Sequence, residues 1–253
     1  MVSVFFGDVV QVLARLGFQY GTDGFHARAS DRSGRQARMD VGIVWGVDLR
    51  IGDGDFFFLR TKKKLETIAE RDNVPIIRAA ERDLLLEAAE PVMPGRILEI
   101  GTAIGYSALL LAERFPSSEI DTIEVDPERH EIAVSAMKEA GMEDRVHCHL
   151  GDAADILKTL SGTYDFLYLD GPKGQYLREL LEIEPKLSPR AVICADNVLF
   201  RGLVRSSEPV AHRYRTLVMR LREYISYVEE KYNTVIYEEG DGLAVSSPKD
   251  IKR

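Results

Sequence analysis

Arg96-Ile97-Leu98-Glu99-Ile100-Gly101-Thr102-Ala103-Ile104-Gly105-Tyr106-Ser107 reads as a short buried strand that enters a glycine turn and leaves it as a helix. Glycines at such a turn let a ligand approach the backbone closely. The helix that follows offers free N–H groups and the positive end of its dipole. The turn is not a P-loop, because no Gly-Lys-Ser/Thr follows. Nor is it GxGxxG, because Ala103 holds the middle glycine position. What it establishes is the opening strand–turn–helix of an α/β unit.

The same rhythm continues downstream. Strands are predicted at Ile97–Ile100, Ile120–Val125, Val146–Leu150, Phe166–Leu169 and Ala191–Ala195. Helices are predicted at Tyr106–Arg114, Pro127–Ala140, Ala153–Leu160 and Tyr176–Glu184. Short apolar strands alternating with helices of this length make βαβ units and a parallel sheet. A long arginine-studded helix is expected over about Pro209 to Lys231, then strand-like runs at Val235–Tyr237 and Leu243–Val245. Upstream, Pro94-Gly95 breaks the chain, Arg78–Ala89 is amphipathic, Pro75 punctuates, and Leu65–Arg71 looks helical. Residues 1 to about 60 have a different texture. They are interrupted by Thr22-Asp23-Gly24 and Gly52-Asp53-Gly54, Ala27–Arg38 is polar, and Val41–Leu59 suggests one or two hairpins. The expected division is an accessory segment, 1–63, and a catalytic domain, 64–253.

The 253 residues suit one domain with an appendage. Hydrophobic residues at 45% and charged residues at 29% mark an ordinary globular chain, and a net charge of −8 argues against a generally basic nucleic-acid coat. Cys148 and Cys194 are far apart and form no CxxC, which fits a reducing cytoplasm. No apolar run approaches the roughly 18 residues of a membrane span. The start, with Asp8 inside its apolar stretch and no basic leader, is not read as a signal peptide.

In an open parallel sheet, ligands bind beyond the carboxyl ends of the strands. Beyond the second strand, Glu124 and Asp126 both lie where a ribose diol would be held. Asp126 before Pro127 suits a helix cap as well, and Glu124 is preferred for the ribose. Beyond the third, Asp152 and the N–H of Ala153 could read an adenine edge, or Asp152 could cap the next helix. The fourth ends in Asp170-Gly171-Pro172-Lys173 and the fifth in Asp196-Asn197. Two strands thus bring three hard oxygen donors to one rim, a set that suits Mg²⁺.

These stretches, with ILEIGTAIGYSALLLA, TIEVDPER, GDA, YDFLYLDGPKGQY and ICADNVLFRG in order, resemble the metal-dependent, S-adenosylmethionine-dependent O-methyltransferases. That family includes catechol and caffeoyl-CoA O-methyltransferases and bacterial tRNA 5-hydroxyuridine methyltransferases. The likeness runs from about Leu65 to Pro248, and DNVLFRG is most similar to the tRNA branch. The resemblance implies a class I methyltransferase fold, a seven-stranded and mostly parallel sheet with an antiparallel last strand and helices on both faces. It places Glu99, Gly101, Gly105 and Ser107 around the methionine end of the cofactor, with Asp170 beside them. It puts Glu124 on the ribose and Asp152-Ala153 at the adenine. Asp170, Asp196 and Asn197 become ligands of Mg²⁺ or another divalent cation, and Lys173 the general base. Pro172 departs from the pattern, standing where the mammalian catechol enzyme has a tryptophan wall. A homodimer is expected by resemblance only.

Six arginines lie between Arg201 and Arg222 with one acid, Glu208. Arg201, Arg205, Arg213 and Arg215 could track tRNA phosphates, or form a solvated face paired with Glu223 and Glu229. Arg60, Lys62, Lys63 and Lys64 form a second basic cluster. His147-Cys148-His149 alternates on a strand and lacks further ligands for zinc, so packing is the better reading. The sequence therefore supports an O-methyltransferase acting on 5-hydroxyuridine in tRNA, with a small catechol-like diol as the rival substrate. A catalytically idle cofactor- or RNA-binding protein is the alternative of another class.

Overall fold

The computed structural model describes residues 53–249, with side chains from Phe57 onward. Seven strands form one sheet: β1 (Arg96–Ile100), β2 (Glu119–Glu124), β3 (Val146–Leu150), β4 (Tyr164–Leu169), β5 (Leu187–Ala195), β6 (Tyr232–Tyr237) and β7 (Leu243–Pro248). Their spatial order is β3-β2-β1-β4-β5-β7-β6. Strands β1 to β5 pair in parallel, and β7 runs antiparallel to both β5 and β6. The strand order reverses between β1 and β4, which opens a crevice at their carboxyl ends.

Neighbouring residues on each central strand enter opposite cores, as a pleat with both faces covered requires. Ile97, Phe166, Tyr168 and Val192 face one cluster; Leu98, Leu167, Leu169 and Ile193 face the other. The first cluster is closed by α1 (Asp53–Asp72), α2 (Ala79–Ala89), α3 (Tyr106–Arg114) and α4 (Pro127–Glu139). The second is closed by α5 (Ala153–Thr159), α6 (Tyr176–Ile183) and α7 (Arg215–Lys231). The helix starts carry their own signals. Asp126 caps α4, accepting from the N–H groups of Glu128 and Arg129, with Pro127 at the first helical position.

Two expectations are corrected. The hairpin reading of Val41–Leu59 fails over its last residues, because Asp53–Leu59 belongs to α1; the part before Asp53 lies outside the described residues. Phe58, Thr61, Leu65 and Ala69 are buried at helical spacing, so a 3.6-residue stripe facing the core outweighs the aromatic run that suggested strand. The helix expected from Pro209 begins instead at Arg215, after a 3₁₀ turn at His212–Tyr214. The guanidinium of Arg222 donates to the carbonyls of Leu203, Val204 and Ser206, and the Arg215 side chain donates to Val210 O, so residues 203–210 fold back along α7 rather than extend it.

His149 pairs with the buried Asp121 at 2.8 Å, and Asp121 also accepts from Arg96 and Tyr164. Within the His-Cys-His run, Cys148 packs against the core and His149 ties β3 to this buried carboxylate, while His147 is exposed. Among the described residues, no helix is long and apolar enough to cross a membrane.

Candidate active site

The strand ends are tied together by hydrogen bonds that outlast the strands. Gly101 N and Thr102 N donate to Ile123 O, Gly151 N to Glu124 O, Asp170 N to Ile100 O and Asp196 N to Leu169 O. This stitching holds four loops against one another and leaves a cleft of about 980 Å³ along the carboxyl rim of the sheet. Gly101, Glu124, Asp152, Ala153, Asp170, Lys173, Asp196, Asn197 and Arg201 all line it.

Gly101 has no alternative. Its φ is +104°, and a β-carbon there would stand 2.6 Å from the Asp170 carbonyl carbon. Backbone therefore packs on backbone where β1 and β4 end. Glu124 fixes the rest of the glycine loop: one carboxylate oxygen accepts from Ala103 N at 2.7 Å, the other from Val125 N and Asp126 N at 2.9 Å. Asp126 is spent on capping α4, and Glu124 lines the cleft. Asp152 caps α5 through Ala154 N at 2.8 Å and also lines the cleft.

Asp170 and Asp196 stand at the ends of adjacent strands. Lys173 Nζ lies 2.7 Å from Asp170 Oδ1 and 5.6 Å from the Tyr176 ring. Asp196 accepts from Asn197 N at 2.6 Å, and the Tyr176 hydroxyl donates to its carbonyl at 3.0 Å. Burial, then the charge of Asp170, pushes the Asp196 carboxyl up to about 7. Burial also raises Asp170, against the pull of Lys173. Two like charges sharing a buried rim favour a cation between them. With the side-chain oxygen of Asn197, whose backbone sits at φ +54°, they make an all-oxygen donor set that fits a hard divalent ion. Among the described residues, no group of three or more His, Cys, Asp or Glu side chains is placed to hold a metal ion.

Three sequence-predicted residues lie behind the cleft wall. Glu99 is fully buried in β1, its one paired oxygen taking the Thr122 hydroxyl at 2.5 Å while the other has no partner. Burial pushes its carboxyl up to about 7, with Ser107 and Thr122 acting as donors that oppose the shift. Gly105, at φ +87°, lies against Ala133 and Met137 of α4, and Ser107 is buried in α3.

The arginines have different settings, with Arg201 over the Phe200 ring, whose centroid lies 5.4 Å from that of Tyr214, the ring under Arg213. Arg201 alone of the four lines the cleft. Arg205 pairs with Glu238, Arg213 stacks 4.6 Å over the Tyr214 ring, and Arg215 lines a separate groove beside α7. The Arg220–Glu223 pair of the solvated-face reading is present at 3.1 Å. Lys62 and Lys63 pair with Glu66, and Lys64 with Glu139.

Sequence reasoning missed Glu81, Glu179, Gly240 and Asp241, all lining the cleft. Glu81 is buried where a β-carbon on Gly240 would fall, and accepts from Arg78 N and Asp241 N at 3.3 Å. The Gly240-Asp241-Gly242 turn was a visible signal for this corner. Glu179, inside a helix, gave none.

The model of the O-methyltransferase family matches residues 65–247. The chain belongs to the O-methyltransferase family. Among relatives of this family member, the catechol O-methyltransferase of Mycobacterium tuberculosis is 30% identical over 175 residues, covering 67% of this chain and 79% of that one. The catechol O-methyltransferase of Niastella koreensis is 32% identical over 162 residues, covering 60% of this chain and 73% of that one. A probable O-methyltransferase of Mycobacterium tuberculosis is 33% identical over 152 residues, 55% of this chain, and only 62% of its own length is spanned. In fold, an O-methyltransferase from Streptomyces achromogenes, solved with S-adenosylmethionine and involved in tomaymycin synthesis, is similar with a TM-score of 0.66 and 26% identity over 74% of this chain and 89% of that one. The fold is that of the class I S-adenosylmethionine-dependent methyltransferases, and the family carries the enzyme class, S-adenosylmethionine-dependent O-methyl transfer.

Proposed function

We propose that this O-methyltransferase moves the methyl group of S-adenosylmethionine onto one oxygen of a small vicinal diol, of the catechol type, with a divalent cation held by Asp170, Asp196 and Asn197. The observation that carries the reading is the carboxylate pair of half-buried Asp170 and buried Asp196 at a rim shared with Lys173 and the glycine turn. Glu124 would accept the ribose hydroxyls, Asp152 and Ala153 N would meet the adenine, and the Gly101 backbone would face the methionine portion, backed by Glu99, Gly105 and Ser107. A bound cation would supply Lewis acidity to the acceptor hydroxyl. The carbon–oxygen bond forms in line as the carbon–sulfur bond breaks, leaving a thioether. The hydroxyl proton goes to Lys173 Nζ. Among the described residues Lys173 is the one lysine lining the cleft; the other cationic side chains there are arginines, which do not serve as proton acceptors.

The 5-hydroxyuridine of tRNA ranks second. Of the four arginines Arg201 alone lines the cleft, while Arg205 pairs with Glu238 and Arg215 with the Val210 carbonyl, which leaves fewer free guanidinium groups for a phosphate track. Labelled S-adenosylmethionine, offered with Mg²⁺ or with chelator to a simple catechol and to tRNA carrying 5-hydroxyuridine, separates the readings. Metal-dependent label in catechol alone is expected. Label in tRNA alone would return the arginines to a docking role, and label that survives chelator would remove the metal from the reaction.

A further inference from the structure

Seven carboxylates line the cleft, and six have donors. Glu124, Asp152 and Asp196 accept backbone N–H groups, Asp170 accepts Lys173, and Glu81 and Asp241 accept backbone N–H groups from the far corner. Glu179 is the exception. It is 1% exposed, and neither carboxylate oxygen has a hydrogen-bond partner. An unpartnered buried carboxyl costs several kcal/mol in general and persists where something other than folding uses it.

Its position says what that use is. Glu179 lies on α6, which packs against α5, the helix that begins just past Asp152. The charges that act on it are Arg178 on its own helix, Asp152 and Lys173. It therefore belongs to the β3–α5 end of the cleft. A carboxyl group at that end needs a ligand that brings N–H donors, and the one donor-bearing edge of an adenine ring is its 6-amino group. Resting on the cofactor reading above, we propose that Glu179 is a specificity-determining residue of the cofactor subsite, taking the 6-amino group of the adenine ring. A site built to pair with one polar group rejects the analogue that lacks it far more strongly than an apolar pocket does. Burial pushes the Glu179 carboxyl up to about 7, so near neutrality its acid form could also donate to the adjacent ring nitrogen.

Calorimetric titration of the full chain with S-adenosylhomocysteine and with its 6-deamino purine analogue, in which hydrogen replaces the 6-amino group, tests this without turnover. The wild type is expected to bind the adenosyl compound at least about tenfold more tightly, the range a well-placed base contact gives. Glu179→Gln keeps a single acceptor oxygen, so the preference should shrink but persist. Glu179→Leu should shrink it about tenfold, to what Asp152 alone contributes. Equal binding of the two compounds by the wild type, or the same ratio in wild type and both variants, overturns the assignment. Failure of the wild type to bind either compound would instead remove the cofactor reading itself.

Discussion

Glu179 and Lys173 each carry a prediction that belongs to a single group. Glu179 holds its proton more tightly folded than unfolded, because burial raises its carboxyl to about 7 from an ordinary 4.5. The sign follows directly. Below about pH 4.5 both states are protonated and the group is neutral in its effect; as pH rises toward 7 the unfolded state sheds a proton the native state keeps, and stability falls. Glu179→Gln removes that loss. Urea unfolding should find the variant more stable than the parent at pH 8, by on the order of 1–3 kcal/mol, with the gap closing by pH 4. A gap that does not change with pH would mean the carboxyl is not strained by burial. Lys173→Met is expected to lower turnover about 100-fold or more while S-adenosylhomocysteine affinity stays within about twofold, as loss of a proton acceptor predicts. Unchanged turnover at saturating metal would reduce Lys173 to a partner of Asp170.

At the scale of elements, the site is a property of strand ends. β1 and β4 finish so close together that Gly101 admits no β-carbon beside the Asp170 carbonyl. Gly101→Ala must therefore move the Asp170 loop, and it also strains a φ of +104°. The expected result is a loss of more than about 1 kcal/mol in unfolding free energy together with weaker cofactor binding by calorimetry. Wild-type affinity in this variant would show the contact to be slack. The entry to α4 offers a contrast that isolates folding from chemistry. Asp126→Ala removes both cap hydrogen bonds, and should cost about 1 kcal/mol in thermal or urea unfolding with little change in ligand affinity. A drop in affinity beyond about tenfold would mean that Glu124, which holds Asp126 N, depends on that cap.

For the whole molecule, the boundary of the catalytic domain becomes a physical question. The expected division at residue 64 falls inside α1, whose Phe58 and Thr61 are buried before it and Leu65 and Ala69 after it. A chain starting at residue 64 would take part of that stripe out of the core. One starting at Asp53 keeps it. We expect the 53–253 fragment to unfold in one cooperative transition and to bind S-adenosylhomocysteine, and the 64–253 fragment to melt at least several degrees lower. Equal melting temperatures would place Phe58 and Thr61 outside the cooperative unit.

The sequence by itself determined the sheet, the order of its first five strands along the chain, and the acids and glycines at their carboxyl ends. Those readings rest on local physics. Apolar runs of strand length, helical periodicity, turn glycines and the Asp126-Pro127 cap are all written within a few residues of where they act. Tertiary structure decided the rest, because it depends on partners distant in sequence. Glu99 sinks behind the wall through Thr122 and Ser107; Glu81 meets Gly240 across most of the domain; Arg215 and Arg222 are drawn onto carbonyls of the loop before α7. Glu179 is the extreme case. A glutamate in an amphipathic helix ordinarily faces water, and only the packing of α6 on α5 and the sheet turns this one inward. Local pattern fixes which backbone an amino acid adopts, while the desolvation and pairing that give a carboxylate its chemistry are set by what the folded chain brings around it.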